Sequence, residues 1–174
     1  HARGRDMSDC GQVGPVELLH RYGVLGRNCL VAHANCLTAN DVRLLAETGT
    51  SVVHCPKTHR YFRRAPASLP SLLEAGVNVC LGTDSLASND TLDIFAEMRE
   101  LARMFPDWLP SRIVAMATTN AATALNQANR LGKIAVGATA DLIAVTVDGD
   151  ADPYTAVVFT EKPIAFMMIN GCQI

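Results

Sequence analysis

Val77-Asn78-Val79-Cys80-Leu81-Gly82-Thr83-Asp84 begins as a nearly unbroken apolar run and ends on a carboxylate. Two earlier runs share the pattern, Asn28-Cys29-Leu30-Val31-Ala32-His33 and Thr50-Ser51-Val52-Val53-His54. Short apolar runs without strict alternation suit strands buried on both faces, as parallel sheets require. Each run is followed by a polar stretch and then an amphipathic helix. Thr38 with Asp41 three residues on has the form of a capping box. Val42, Leu45 and Ala46 supply the apolar face of that helix, and Gly49 stops it. Ser68 and Pro70 open another helix, which Gly76 ends. After the third run, Ile94, Met98, Leu101, Ala102 and Phe105 share one face of a longer helix. Strand and helix alternating at this spacing predict successive β/α units of a parallel sheet or barrel.

After about Leu131 the pattern changes. Ala140 to Val147 and Ile164 to Ile169 are β-rich apolar runs, and Asn170-Gly171 is a strong hairpin signal. That hairpin's second arm is almost absent, and His1 to Gly14 is a polar lead-in. Three β/α units are also too few to close an eight-stranded barrel. The expectation is the later part of a larger protein.

Of the 174 residues, 49% are hydrophobic and 18% charged, with 15 basic against 17 acidic. Such a chain can bury a real core, which excludes disorder and a disulfide-stapled miniprotein. The balance gives no electrostatic case for nucleic acid or an anionic membrane. No apolar run approaches the roughly 20 residues of a membrane span, and nothing resembles a signal peptide. The six cysteines form no C-x-x-C pair, and Cys29 and Cys80 lie inside apolar runs. Six reduced thiols in a cytoplasmic protein are expected. Neither nucleic acid nor a membrane is then an expected partner, and a homo-oligomer is left open.

The three strands end in His33, His54 and Asp84. Strand carboxyl ends carry the chemistry of α/β barrels, because the loops there form the mouth. Neutral imidazole and carboxylate suit a divalent ion such as zinc, which makes bound water acidic. A carboxylate beside that water can also take its proton. His59 to Arg64 is basic with interleaved aromatics and reads as a loop overhanging the mouth, either solvated or against an anionic substrate group, with a nucleic-acid strand as the remaining alternative. His20 reads as a helix-surface residue. Ser85 and Ser88 lack a G-x-S-x-G elbow and read as shaping the loop after Asp84. Neither G-x-G-x-x-G nor a Walker A sequence is present, so nucleotide-cofactor folds have no support.

Val31-Ala32-His33-Ala34-Asn35, Val53-His54-Cys55-Pro56 and Leu81-Gly82-Thr83-Asp84-Ser85-Leu86-Ala87-Ser88-Asn89 resemble the late barrel strands of the amidohydrolase superfamily. The likeness is to its deaminase and chlorohydrolase branch, including S-adenosylhomocysteine and aminodeoxyfutalosine deaminase-like proteins. Gly132-Lys133-Ile134-Ala135-Val136-Gly137-Ala138-Thr139-Ala140-Asp141-Leu142 resembles the entry to that family's small β-sandwich. The resemblance implies an α/β chain made of the last β/α units of a (β/α)8 TIM-type barrel, residues 1–131. Part of the β-sandwich domain follows, residues 132–174.

By position, the resemblance makes His33 the histidine that contacts substrate and attacking water. It makes Asp84 the aspartate that ligates the metal and shuttles the proton. His54 falls where family members vary, and is expected as a substrate contact on the rim between them. The family's H-x-H pair and its later His with a nearby Glu have no counterpart here. One divalent metal ion is implied, zinc or else iron, whose site this chain alone does not complete. The resemblance alone implies a small-molecule substrate, and the implied reaction is deamination of a purine-like or nucleoside-like ring. Chloride displacement from a triazine is the alternative, and a non-catalytic piece acting by association is another. Pro56 to Arg64 resembles the same stretch in the aminodeoxyfutalosine deaminase-like members. There Tyr61 or Phe62 would stack on a planar ring, and Arg60, Arg63 or Arg64 would pair with a carboxylate.

Overall fold

Leu30–Ala32 (β1), Ser51–His54 (β2) and Val79–Leu81 (β3) pair in parallel, in the order β1-β2-β3. The computed structural model describes residues 13–64, 68–147 and 149–174. Most of the polar lead-in, with Cys10, lies outside them. Val31 faces Val52, and Val52 faces Val79, so one apolar row crosses the sheet. Val52 and Val79 are fully buried. All of β3 is buried, as expected of a parallel strand. β1 departs from that expectation: Leu30 and Ala32 are exposed, whereas β3, also at an edge of the described sheet, is covered by the helices Leu69–Glu74, Ile94–Met104, Pro110–Ala117 and Thr119–Ala124.

Helix α1 (Pro15–Arg21) precedes β1, with His20 on its surface. Helix α2 (Ala39–Thr48) joins β1 to β2 and has the expected caps. The Asp41 amide donates to Thr38 Oγ1, and the Thr38 amide donates to Asp41 Oδ2. Gly49 closes the helix at φ 69°, a conformation few other residues accept without cost. Between β2 and β3 lie α3 (Pro56–Tyr61) and α4 (Leu69–Glu74). The segment read as an overhanging loop is therefore helix through Tyr61, and only Phe62 to Arg64 lie beyond it. Proline at its first position is pre-set for a helical start.

After β3 come α5 (Ile94–Met104), α6 (Pro110–Ala117) and α7 (Thr119–Ala124). Met98 and Leu101 of α5 are buried as the periodicity requires. Phe105 ends that helix and stacks on Trp108 at 4.2 Å between ring centroids. Leu45, Leu69, Leu72, Leu101, Ile113 and Met116 join the strand valines in one core.

A second sheet is antiparallel, in the order β4 (Leu142–Val145), β5 (Ile164–Ile169), β6 (Cys172–Gln173). Asn170 and Gly171 both take positive φ, 49° and 78°, between β5 and β6. That is the two-residue turn their sequence announces. Helix α8 (Pro153–Phe159) connects β4 to β5, packs on α5 and α6, and buries Val158 completely. No helix among the described residues is long and apolar enough to cross a membrane.

Candidate functional site

The parallel ladder delivers its polar residues to one edge. The His33 amide donates to Val53 O at 2.8 Å, and the Gly82 amide donates to His54 O at 3.0 Å. The pairing thus runs one residue past β1 and β3, and the chain then turns sharply. His33, Ala34 and Asp84 all adopt positive φ, at 67°, 48° and 57°. Left-handed backbone at non-glycine residues is costly and clusters where function needs it. Here it brings His33 Nε2 to 3.6 Å from Asp84 Oδ2. That separation is too long for a good direct hydrogen bond. Both side chains are about a third exposed, so each is open to a third group.

His54 is 1% exposed rather than on the rim, because β2 is the central strand and is flanked on both sides. Neither ring nitrogen has a hydrogen-bond partner among the described residues. Burial, and then the neighbouring His59 and His33, push its imidazole pKa down to about 4. It is a neutral ring at physiological pH. Cys55, next in sequence, is buried, and its thiol is pushed up to about 12 by that burial and by Asp84 and Glu97. A thiol held so far from its thiolate is no nucleophile. Cys29, Cys36, Cys55, Cys80 and Cys172 are all unbridged.

Asp84 is supported from two directions. Ser88 Oγ donates to Asp84 Oδ2 at 3.1 Å, and Ser88 Oγ lies 3.0 Å from Thr58 Oγ1 on α3. Ser88 has one proton to give, so Thr58 is the donor of the second bond. Asn89 donates to Thr83 O at 2.9 Å and to Glu97 Oε1 at 2.5 Å. Glu97, on α5, is fully buried and also accepts the Lys57 amide at 2.9 Å. Burial pushes its carboxyl pKa up. Thr58 and Glu97 were not singled out from sequence. Glu97 had a signal: at i+3 from Ile94 and i−4 from Leu101, it is a carboxylate on the apolar face of α5.

Because α3 is a helix, it presents different residues to two hollows. Thr58, His59 and Phe62 share a small cavity with His33, Asn35 and Arg64. His59 Nδ1 lies 3.1 Å from Asn35 Oδ1, and the Arg64 guanidinium lies 5.5 Å above the Phe62 ring. Lys57, Arg60 and Tyr61 line a separate cleft of about 360 Å³ with Leu86, Ser88 and Asp90. Arg60 donates to Glu100 Oε2 at 2.6 Å, and Lys57 pairs with Asp90. The structure thus unites His33 with Asp84 and seats Arg60 and Tyr61 in a different hollow from His33.

No group of three His, Cys, Asp or Glu side chains placed to hold a metal occurs among the described residues. Asp84 and His33 offer the oxygen and nitrogen donors a zinc-like ion accepts, as two members of a larger set.

Parallel β/α units that present an imidazole and a carboxylate from nearby strand ends have the layout of an α/β enzyme centre. The chain belongs to the amidohydrolase family, whose profile matches residues 7–174. A 5-methylthioadenosine/S-adenosylhomocysteine deaminase from Syntrophobacter fumaroxidans is 41% identical over 138 residues, covering 75% of this chain and 32% of the relative. A 5′-deoxyadenosine deaminase from Methanothrix thermoacetophila is 44% identical over 90 residues, 52% of this chain and 22% of that one. The crystal structure of an adenosine deaminase from Xanthomonas campestris with bound zinc superposes with a TM-score of 0.88 at 28% identity. That match covers 96% of this chain and 41% of the other. The chain spans about a third of the length of curated relatives such as these deaminases.

Proposed function

We propose that this chain contributes the His33–Asp84 part of a metal-dependent hydrolase centre that deaminates the ring of an adenosine-like nucleoside. In this reading residues 1–131 are the last β/α units of a (β/α)8 barrel, and residues 132–174 are part of a small β-sandwich. The carrying observation is the approach of His33 to Asp84 at 3.6 Å, held by left-handed backbone at both residues. Relatives named as adenosine-type deaminases give the reading its substrate class.

A divalent ion, zinc or iron, with Asp84 among its ligands would supply the acidity that makes water a nucleophile near neutral pH. Its other ligands come from outside the described residues. Asp84 accepts the proton of the water that adds to the amidine carbon, then returns it to the departing ammonia. Ser88, donating to Oδ2, keeps that carboxylate oriented. His33 Nε2 faces the same point and holds the attacking oxygen. His54 stays inside the central strand as a neutral ring, shut off from substrate. Arg60 and Tyr61 contact the part of the substrate that reaches the neighbouring cleft. Reduced thiols agree with a cytoplasmic setting.

Ammonia release from adenosine-type nucleosides should be measured in the protein that carries this chain at its natural length, loaded with zinc. Turnover that Asp84→Asn and His33→Ala each abolish supports the reading. Turnover unaffected by either change overturns it.

A further inference from the structure

We propose that Glu97, on α5, is a positioning residue that sets the geometry of Asp84 through the start of α3 and Asn89. This deepens the reading above and rests on it for the catalytic consequence, though not for the structural one. Helix α3 has no side-chain cap of its own: Cys55, at the capping position, makes no such bond. Glu97, 40 residues away in sequence, supplies the missing acceptor to the Lys57 amide. Its second oxygen takes the Asn89 amide, whose other proton goes to Thr83 O, the carbonyl just before Asp84.

One carboxylate therefore fixes the two ends of a chain of contacts. At one end it anchors α3, which carries Thr58. At the other it anchors Asn89, next to Ser88. Thr58 and Ser88 then meet, and Ser88 donates to Asp84. Both hydrogen-bonded oxygens of Glu97 face N–H donors, so no neutral side chain of the same shape replaces it. A glutamine there turns an N–H₂ against either the Lys57 amide or the Asn89 amide. The left-handed φ of 57° at Asp84 lies between the two contacts the Glu97 carboxylate controls, the Thr83 carbonyl before it and Ser88 after it. A fully buried carboxylate spent only on holding the fold would be a costly choice, since apolar packing serves that end as well.

The test compares Glu97→Gln, Ser88→Ala and their combination with the parent, and uses exposed Glu47→Gln as a control. In Glu97→Gln the backbone carbon and nitrogen NMR shifts of Thr83 and Asp84 should move, while those at the control site stay put. With adenosine-type substrate, kcat should fall on the order of 10- to 100-fold with KM within about twofold, as expected when a reacting group is misplaced. The double variant should lose less than the product of the single losses, because both act through Asp84. Unmoved Thr83 and Asp84 shifts overturn the inference whatever the activity, and so do fully multiplicative losses in kcat. If Glu97→Gln fails to fold, Asn89→Ala breaks the tether alone and takes its place in the same comparison. Absence of deamination in the parent overturns the functional reading instead, and the shifts still decide the role of Glu97.

Discussion

Asp84 combines its proposed role as proton acceptor with a left-handed backbone in one residue. At φ 57° an aspartate is already paying a backbone cost, and asparagine tolerates the same region about as well. Asp84→Asn should therefore keep the fold, with a melting temperature close to the parent's, while removing the carboxylate proposed to accept the proton. Turnover should fall on the order of 10²–10⁴-fold, the usual worth of a general base. Retained turnover would assign the proton transfer elsewhere. His54 makes the converse case. Its two ring nitrogens are buried without hydrogen-bond partners among the described residues, a cost on the order of 1–3 kcal/mol. His54→Leu should leave stability at pH 7 unchanged or higher by denaturant titration. A large loss of stability would mean that His54 is a packing residue whose nitrogens do not matter. Neither property was visible in the sequence. It gave the residue types at the strand ends, but positive φ and orphaned nitrogens depend on what the rest of the chain places around them.

At the scale of elements, two helix starts that look alike in sequence differ in the structure. Thr38 accepts the Asp41 amide in a complete capping box, whereas Ser68 makes no side-chain cap bond. Thr38→Ala should cost about 1 kcal/mol. Ser68→Ala should stay within about 0.5 kcal/mol, as for most surface changes. Equal losses from the two would show that the bond to the Asp41 amide contributes nothing. Caps and turns such as Thr38, Gly49 and Asn170-Gly171 were legible because each is decided within a few residues. Helix α3 was not, because its cap is Glu97, remote in sequence. Misreading that helix as a loop also merged its faces. Arg60 and Tyr61 then seemed to share a mouth with His33, whereas helical spacing turns them toward the Ser88–Asp90 cleft. The short helices α6, α7 and α8 went unread for a related reason. Each runs eight residues or fewer, too short for a periodic pattern to stand out.

For the molecule as a whole, the β/α order was legible from three apolar runs, and the way the two sheets connect was not. Helix α8 leaves the second sheet to bury Val158 against α5 and α6, a contact that no local pattern announces. The same dense packing around β2 gives the protein a distinctive response to acid. Folding holds the His54 pKa near 4, against an ordinary value of 6.5. Above pH 6.5 the ring is neutral in folded and unfolded chains alike, and the stability it permits is fully present. As the pH falls below 6.5, the unfolded chain takes up a proton that the folded one refuses, so stability is lost until about pH 4. The whole loss is on the order of 3 kcal/mol, of which about 2 kcal/mol appears between pH 7 and 5. Glu97, whose pKa burial raises, works in the opposite sense in acid and masks part of this slope in the parent alone. Comparison with His54→Leu cancels that contribution, since Glu97 is present in both. Urea unfolding at pH 7 and pH 5 should therefore show the parent losing about 2 kcal/mol more than the variant. Equal losses would mean that His54 protonates in the folded protein as readily as in the unfolded chain, and that its ring is not shut away at the centre of the sheet.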